Sequence, residues 1–363
     1  MKQTVLHQRH LQSTTKMTEF QGWQVPLQFT DIQNEYHAVR SSAGLFDISY
    51  LGRIEVSGPG AAGLLNSVLT RSIAKSAAGP ARYCLICNEG GFVLADVLAF
   101  PVPDRSPNRR FLLTTNPINA EAVHQWLAQH AGSDVHISDV TQSLAQFALQ
   151  GPRSFDIIET LSGQVFKKMK RGAVREATLA ESSVLISRTG YTGEQGYELF
   201  VPADRALPLW ESILNTGKDA GLLPCGFACR DILRLEAGYL LYGNDLDSTR
   251  TPFEPGLMSV VDLKKDFIGK EALLKIKASD VKQKLAGFVL LDKGVPKIGG
   301  SIFSESREIG TVTSSGHSPH LRAGIGIGYV ISRYALPDQE IEIEVRDREI
   351  AAKTVDLPFY RKK

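Results

Sequence analysis

The chain of 363 residues is 43% hydrophobic and 22% charged, with 41 Lys+Arg against 39 Asp+Glu. A single core rarely grows past roughly 250–300 residues, so two or three compact units are expected, and the composition excludes a disordered or fibrous chain. The formal charge of only +2 argues against a nucleic-acid binder, which would carry a larger basic excess or a basic stripe.

The opening stretch MKQTVLHQRHLQ has no apolar core of the kind a secretory signal needs, and no run approaches the roughly 18 apolar residues of a membrane span. A cytoplasmic protein with no membrane association is the expectation. Alternating or apolar runs then predict strands over Arg53–Val56, Arg82–Ile86, Phe92–Phe100, Phe111–Thr115, Gln146–Leu149, Val184–Arg188 and Tyr197–Val201. Helical spacing fits Ala61–Thr70, Ile118–His130, Ser154–Leu161, Arg205–Thr216 and Ala228–Ala237, with Gly238 placed to end the last. Strands and helices interleave without a regular βαβ beat, and no dinucleotide fingerprint or P-loop is present, so the fold class is α+β. The basic cluster Lys167–Arg171 reads as a solvated face. Lys275–Lys284 reads as a charged, helix-like connector. From Leu285 six short strands broken by glycine-marked turns predict a small β-barrel or sandwich.

Four cysteines are too few for a disulfide scaffold. Cys84 and Cys87 lie on a predicted strand, where residues three apart face opposite ways and cannot share a zinc ion. Cys225 and Cys229 straddle a predicted helix start and read as small core fillers, so no metal is expected.

Three segments carry the chemistry. Arg188–Glu198 holds three glycines in seven residues, a tight loop able to wrap a flat ligand. Glu194 in it is either a solvated hairpin acid or a carboxylate accepting two parallel hydrogen bonds from an aminopyrimidine or pterin edge. In Pro224–Tyr239, Arg230 and Arg234 stand one turn apart on an apolar helix. Arg230 either pairs with nearby acids or offers its planar fork to a ligand carbonyl or to Glu194. Asp96 interrupts the apolar run Phe92–Phe100, on the face expected for Leu94 and Leu98. A carboxylate there pays several kcal/mol of desolvation unless partnered or neutral, which makes it a functional candidate beside the alternative of a structural cap. Asn116 ends the next strand, as a turn residue or a polar contact.

In this order the segments resemble the folate-binding aminomethyltransferase family, the T-proteins of the glycine cleavage system. The likeness runs end to end through Gly22–Leu27, Glu35–Arg40, Ala43–Ser49, Ala148–Pro152, Arg188–Gly196, Arg230–Gly238, Leu241–Gly243, Asp266–Leu273 and Pro358–Arg361. It implies a three-subdomain cloverleaf around a central folate site: residues 1–275 form the folate-binding part, with roughly 51–140 inserted between 1–50 and 141–275, and 285–363 form the barrel. It also implies transfer of an aminomethyl-derived carbon from the lipoyl arm of H-protein to tetrahydrofolate. Asp96 matches the family's catalytic aspartate, Glu194 and Arg230 match pterin-site residues, and Asn116 and Tyr239 match further folate contacts. The chain departs from the family at Ala95, where a second acid is usual, and at Tyr50-Leu51, where the family commonly has His-Met. Other readings are a related tetrahydrofolate-dependent demethylase and a non-enzymatic protein of iron–sulfur assembly; the cysteine motif of the latter is absent here.

Overall fold

The computed structural model describes residues 1–14, 16–73, 79–103, 109–276, 281–346 and 348–362. It is an α+β protein built on two helix-covered sheets, a small three-stranded sheet and a closed barrel. The first layer is a six-stranded sheet in the order Val174–Leu179, Ser182–Ser187, Gly196–Pro202, Leu144–Gln150, Ala43–Asp47, Leu222–Pro224. Phe147, Leu149, Tyr197, Leu199 and Val201 point to one face, under the helices Ser154–Ser162 and Ala206–Gly217. Leu209, Trp210 and Ile213 of the latter are almost fully buried, and each adds roughly 1.5–3 kcal/mol by leaving water. The opposite face, with Phe46 and Ala148, is covered by Ile32–Ser41 and Phe227–Glu236.

The second layer is a five-stranded sheet ordered Arg82–Cys87, Val93–Val102, Arg110–Thr115, Gly52–Ser57, His136–Asp139. Helices Ala61–Val68 and Ala120–His130 cover one face, packing on Ala95, Val97, Ala99 and Leu113. Leu98, one residue out of phase with those, lines the opposite side with Asp96. Leu94 departs from the expected alternation and packs with the Ala95 cluster. The register slips between Ile86 and Cys87, so Cys87 pairs with Val93 and Leu94 is the extra residue of a bulge. Cys84 and Cys87 accordingly lie in different cores.

The barrel closes in the order Gln283–Leu290, Ala323–Ile331, Arg307–Ser318, Ser301–Ser304, Glu340–Val345, Arg348–Val355. Its six strands are those expected, and closure removes the edges a sandwich would expose. The helical signal assigned to Lys275–Lys284 belongs upstream, to Lys270–Lys275; residues 277–280 lie outside the described residues, and Gln283 already begins a strand. Helix His7–Ser13 was not legible because its buried positions are His7 and His10, which hydropathy assigns to the surface. His10 sits edge-on between Phe29 and Trp210 and hydrogen-bonds the buried Asp47 at 2.8 Å. No helix of the described residues is long and apolar enough to cross a membrane.

Candidate active site

A cavity of about 650 Å³ opens between the two layers, walled by both sheets and by the helix Phe227–Glu236. Asp96, Asn116, Arg230 and Tyr239 all line it. Asp96 projects from the second layer. Its Oδ2 accepts from the Tyr83 hydroxyl at 3.1 Å and its Oδ1 from the Asn116 amide at 3.0 Å. Burial pushes its carboxyl up to about 6, against the lowering effect of those two donors. A carboxyl raised this far holds its proton more readily than a free aspartate and remains able to release it.

Arg230 faces it from the first layer's helix. The helix starts at Gly226, where a Cβ would meet the Leu27 carbonyl oxygen at 2.4 Å, so only glycine lets the two backbones approach. The Arg230 guanidinium lies over the Tyr191 ring at 4.8 Å, and Tyr191 stacks on Tyr239 at 5.4 Å with 18° between the planes. Arg171, from the basic run read as a solvated face, also lines the cavity and donates to the Tyr239 hydroxyl at 3.3 Å. The Arg230 Nη1 is buried with no hydrogen-bond partner in the protein. That nitrogen is sealed from the cavity and the guanidinium also acts on the Tyr50 hydroxyl, so the rest of its planar fork is what Arg230 offers to a ligand acceptor.

Glu194 is not in the cavity wall. Its carboxylate takes the Tyr360 hydroxyl at 2.6 Å, the Lys362 ammonium at 3.0 Å and Arg40 at 3.3 Å. The glycine-rich loop turns it away from the cavity, and the segment contributes a different acid, Glu198, which does line it. Glu198 accepts from the Thr189 hydroxyl at 2.6 Å, and burial raises its pKa against the opposing pull of Thr189 and Arg230. Sequence held a signal for Glu198. Tyr197, Leu199 and Val201 form the core-facing register of a strand, so Glu198 must face the other side.

The departures also reach the cavity. Tyr50 and Leu51 line it, and the Tyr50 ring meets Phe20 edge-on at 5.5 Å. Ala95 faces the helices instead. Among the described residues, one group of potential metal ligands, Glu35, Cys225 and Cys229, has ligand atoms within 4.8 Å of one another. Its carboxylate already accepts the backbone N–H groups of Phe29, Thr30 and Gly226, the role of a buried structural acid.

Residues 6–265 match the family described as the GCVT N-terminal domain, and residues 283–361 match the glycine cleavage T-protein C-terminal barrel domain. The aminomethyltransferase of Halothermothrix orenii is 40% identical over 360 residues, covering 99% of this chain and 100% of that one. That of Caldanaerobacter subterraneus subsp. tengcongensis is 38% identical over 365 residues, covering 100% and 96%. The crystal structure of the glycine cleavage system aminomethyltransferase T from Bartonella henselae superposes with a TM-score of 0.90 at 30% identity, over 99% of this chain and 98% of that one. The chain belongs to the glycine cleavage T-protein family of aminomethyltransferases, enzymes of folate-type one-carbon transfer.

Proposed function

We propose that the cavity binds tetrahydrofolate and that the chain transfers to it the methylene carbon of an aminomethyl group carried on the lipoyl arm of H-protein. The observation that carries this reading is the pairing of a buried, proton-exchanging Asp96 on one wall with Arg230, Tyr191 and Glu198 on the other. A pterin ring offers adjacent N–H donors for a carboxylate and a carbonyl for a guanidinium, so Glu198 and the Arg230 fork suit its edge. Tyr191 and Tyr239 supply the flat apolar face.

In the reaction two ring-side N–H groups of the substrate give way to two bonds to the methylene carbon. The carbon's bonds to sulfur and to the amine nitrogen break, and the two protons leave on the thiol and on ammonia. No oxidant or reductant is needed. Positive charge develops on the attacking nitrogen, and a fixed carboxylate in a desolvated wall stabilises it. With a pKa of about 6, Asp96 is also basic enough to take the proton as the nitrogen becomes neutral.

Titration calorimetry with tetrahydrofolate tests the binding half of the reading. Saturable binding by the native chain is expected, weakened by roughly 1–3 kcal/mol in Glu198→Gln, the cost of mispairing a buried donor. Absence of binding, or equal affinity for the variant, would overturn it.

A further inference from the structure

Behind the cavity wall lies a second group of charges that the transfer chemistry does not use. Arg40 donates from Nη2 to Glu236 at 2.7 Å and from Nη1 to Glu194 at 3.3 Å and to the Thr192 carbonyl at 2.7 Å. The Tyr36 hydroxyl also donates to Glu236, at 2.7 Å. The side chains of Glu194 and Glu236 are 1% and 0% exposed. One guanidinium cannot neutralise two carboxylates held this dry. The second cation comes from the segment beyond the barrel, where Lys362 meets Glu194 at 3.0 Å. Tyr360 completes the cover: its backbone N–H donates to the Glu236 carbonyl at 2.8 Å, its hydroxyl to Glu194 at 2.6 Å, and the Arg40 guanidinium stacks on its ring at 3.8 Å.

Both carboxylates belong to elements that form the cavity wall. Glu194 lies three residues from Tyr191 in the glycine-rich loop, and Glu236 closes the helix that carries Arg230. Asp96 sits on the other layer and has no contact with this network. We propose that Tyr360 and Lys362 are positioning residues that act through Glu194 and Glu236 to hold the Tyr191 loop and the Arg230 helix in register, and so set affinity for the flat substrate without touching it. Removing Lys362 leaves two buried carboxylates to share Arg40 alone and loosens the loop, while the Asp96 wall keeps its geometry. The loss is one of uniform binding, which raises KM and spares kcat.

The proposal rests on the folate reading for its kinetic arm and stands apart from it in a second arm. Lys362→Met, Lys362→Arg and Tyr360→Phe are made in the full chain. Their KM and kcat for tetrahydrofolate are measured together with amide hydrogen exchange of residues 189–196 in the ligand-free protein. Lys362→Met is expected to raise KM about ten-fold with kcat within about two-fold, and to speed exchange in 189–196. Tyr360→Phe should shift both readouts in the same direction. Lys362→Arg should restore both, because a guanidinium keeps the charge. Unchanged KM and exchange in Lys362→Met, or no rescue by Lys362→Arg, would overturn the proposal. If the native chain neither binds nor turns over tetrahydrofolate, the folate reading fails instead, and the exchange arm alone decides the positioning claim.

Discussion

Asp96 is held where its useful form is its unfavourable one. Folding raises its pKa from 3.8 to about 6, so the native chain binds this proton more tightly than the unfolded chain does. The group's contribution to stability is highest below the unfolded value and falls as pH climbs through the window between the two. Above the folded value the full penalty of roughly 3 kcal/mol applies, at about 1.4 kcal/mol per pH unit. Asp96→Asn removes the buried charge, although an amide oxygen satisfies only one of the Tyr83 and Asn116 donors. The variant should therefore melt higher than the native chain at neutral pH, by about 1–2 kcal/mol of stability, and turn over ~10²–10⁴-fold more slowly. Thermal melts and initial rates check this; unchanged turnover removes Asp96 from the chemistry. Native turnover should rise as pH passes through the region near 6. Asp96 was legible in sequence because a lone acid in an apolar strand is anomalous in itself. The placing of Glu194 was not, since both it and Glu198 stand in one glycine-rich segment and only the path of the loop decides which acid faces the cavity.

At the scale of elements, the helix Phe227–Glu236 links chemistry to packing. It offers Arg230 to the cavity, while its Leu233 and Cys229 pack on the first sheet and Glu236 anchors its far end. Its start depends on Gly226, whose backbone lies against Leu27. Gly226→Ala is compatible with the local φ of −92°, so its effect is steric. The overpacked start should cost about 1–3 kcal/mol of stability and displace Arg230, weakening tetrahydrofolate binding in the same variant. Denaturant melts with calorimetry measure both, and a variant that loses stability alone would show that Arg230 is positioned elsewhere. Strongly patterned elements such as this helix and the six barrel strands were readable from spacing. Helix Ile32–Ser41 was present only as a motif. Its start is set by Asp31 accepting the Asn34 N–H at 2.9 Å, and its packing by Tyr36 and Val39, too few apolar residues to register a period. The strand Ala43–Asp47 is buried throughout and shows no alternation to read.

For the whole molecule, the near-zero net charge conceals how charge is placed. Acids and bases are paired where the bodies meet. The barrel is fixed to the cavity helix through Asp245, which accepts Arg234 Nη1 at 2.8 Å, the Leu241 N–H at 2.9 Å and the Thr313 hydroxyl at 2.6 Å. Ser314 adds a further bond from the barrel to Arg234 at 2.8 Å. Asp245 and Arg234 are 1% and 2% exposed, and Asp231 also pairs with Arg234 Nε at 2.7 Å, so Asp245→Asn removes one of two counter-charges from a buried guanidinium. A loss of about 1–3 kcal/mol is expected, since Asp231 remains as a counter-charge, read as a lowered unfolding midpoint; a shift below about 0.5 kcal/mol would place the pair with ordinary surface bridges. None of this interlock was readable in sequence, because Asp245 and Thr313 are 68 residues apart. The proposed role of Asp96 in carbon transfer to tetrahydrofolate is the step on which the other expectations depend. Its most direct test is a turnover assay with H-protein bearing the aminomethyl-lipoyl arm, run on the native chain and on Asp96→Asn. The native chain should release 5,10-methylenetetrahydrofolate and ammonia one for one and the variant almost none; no product from the native chain, or equal rates for the two, would contradict that role.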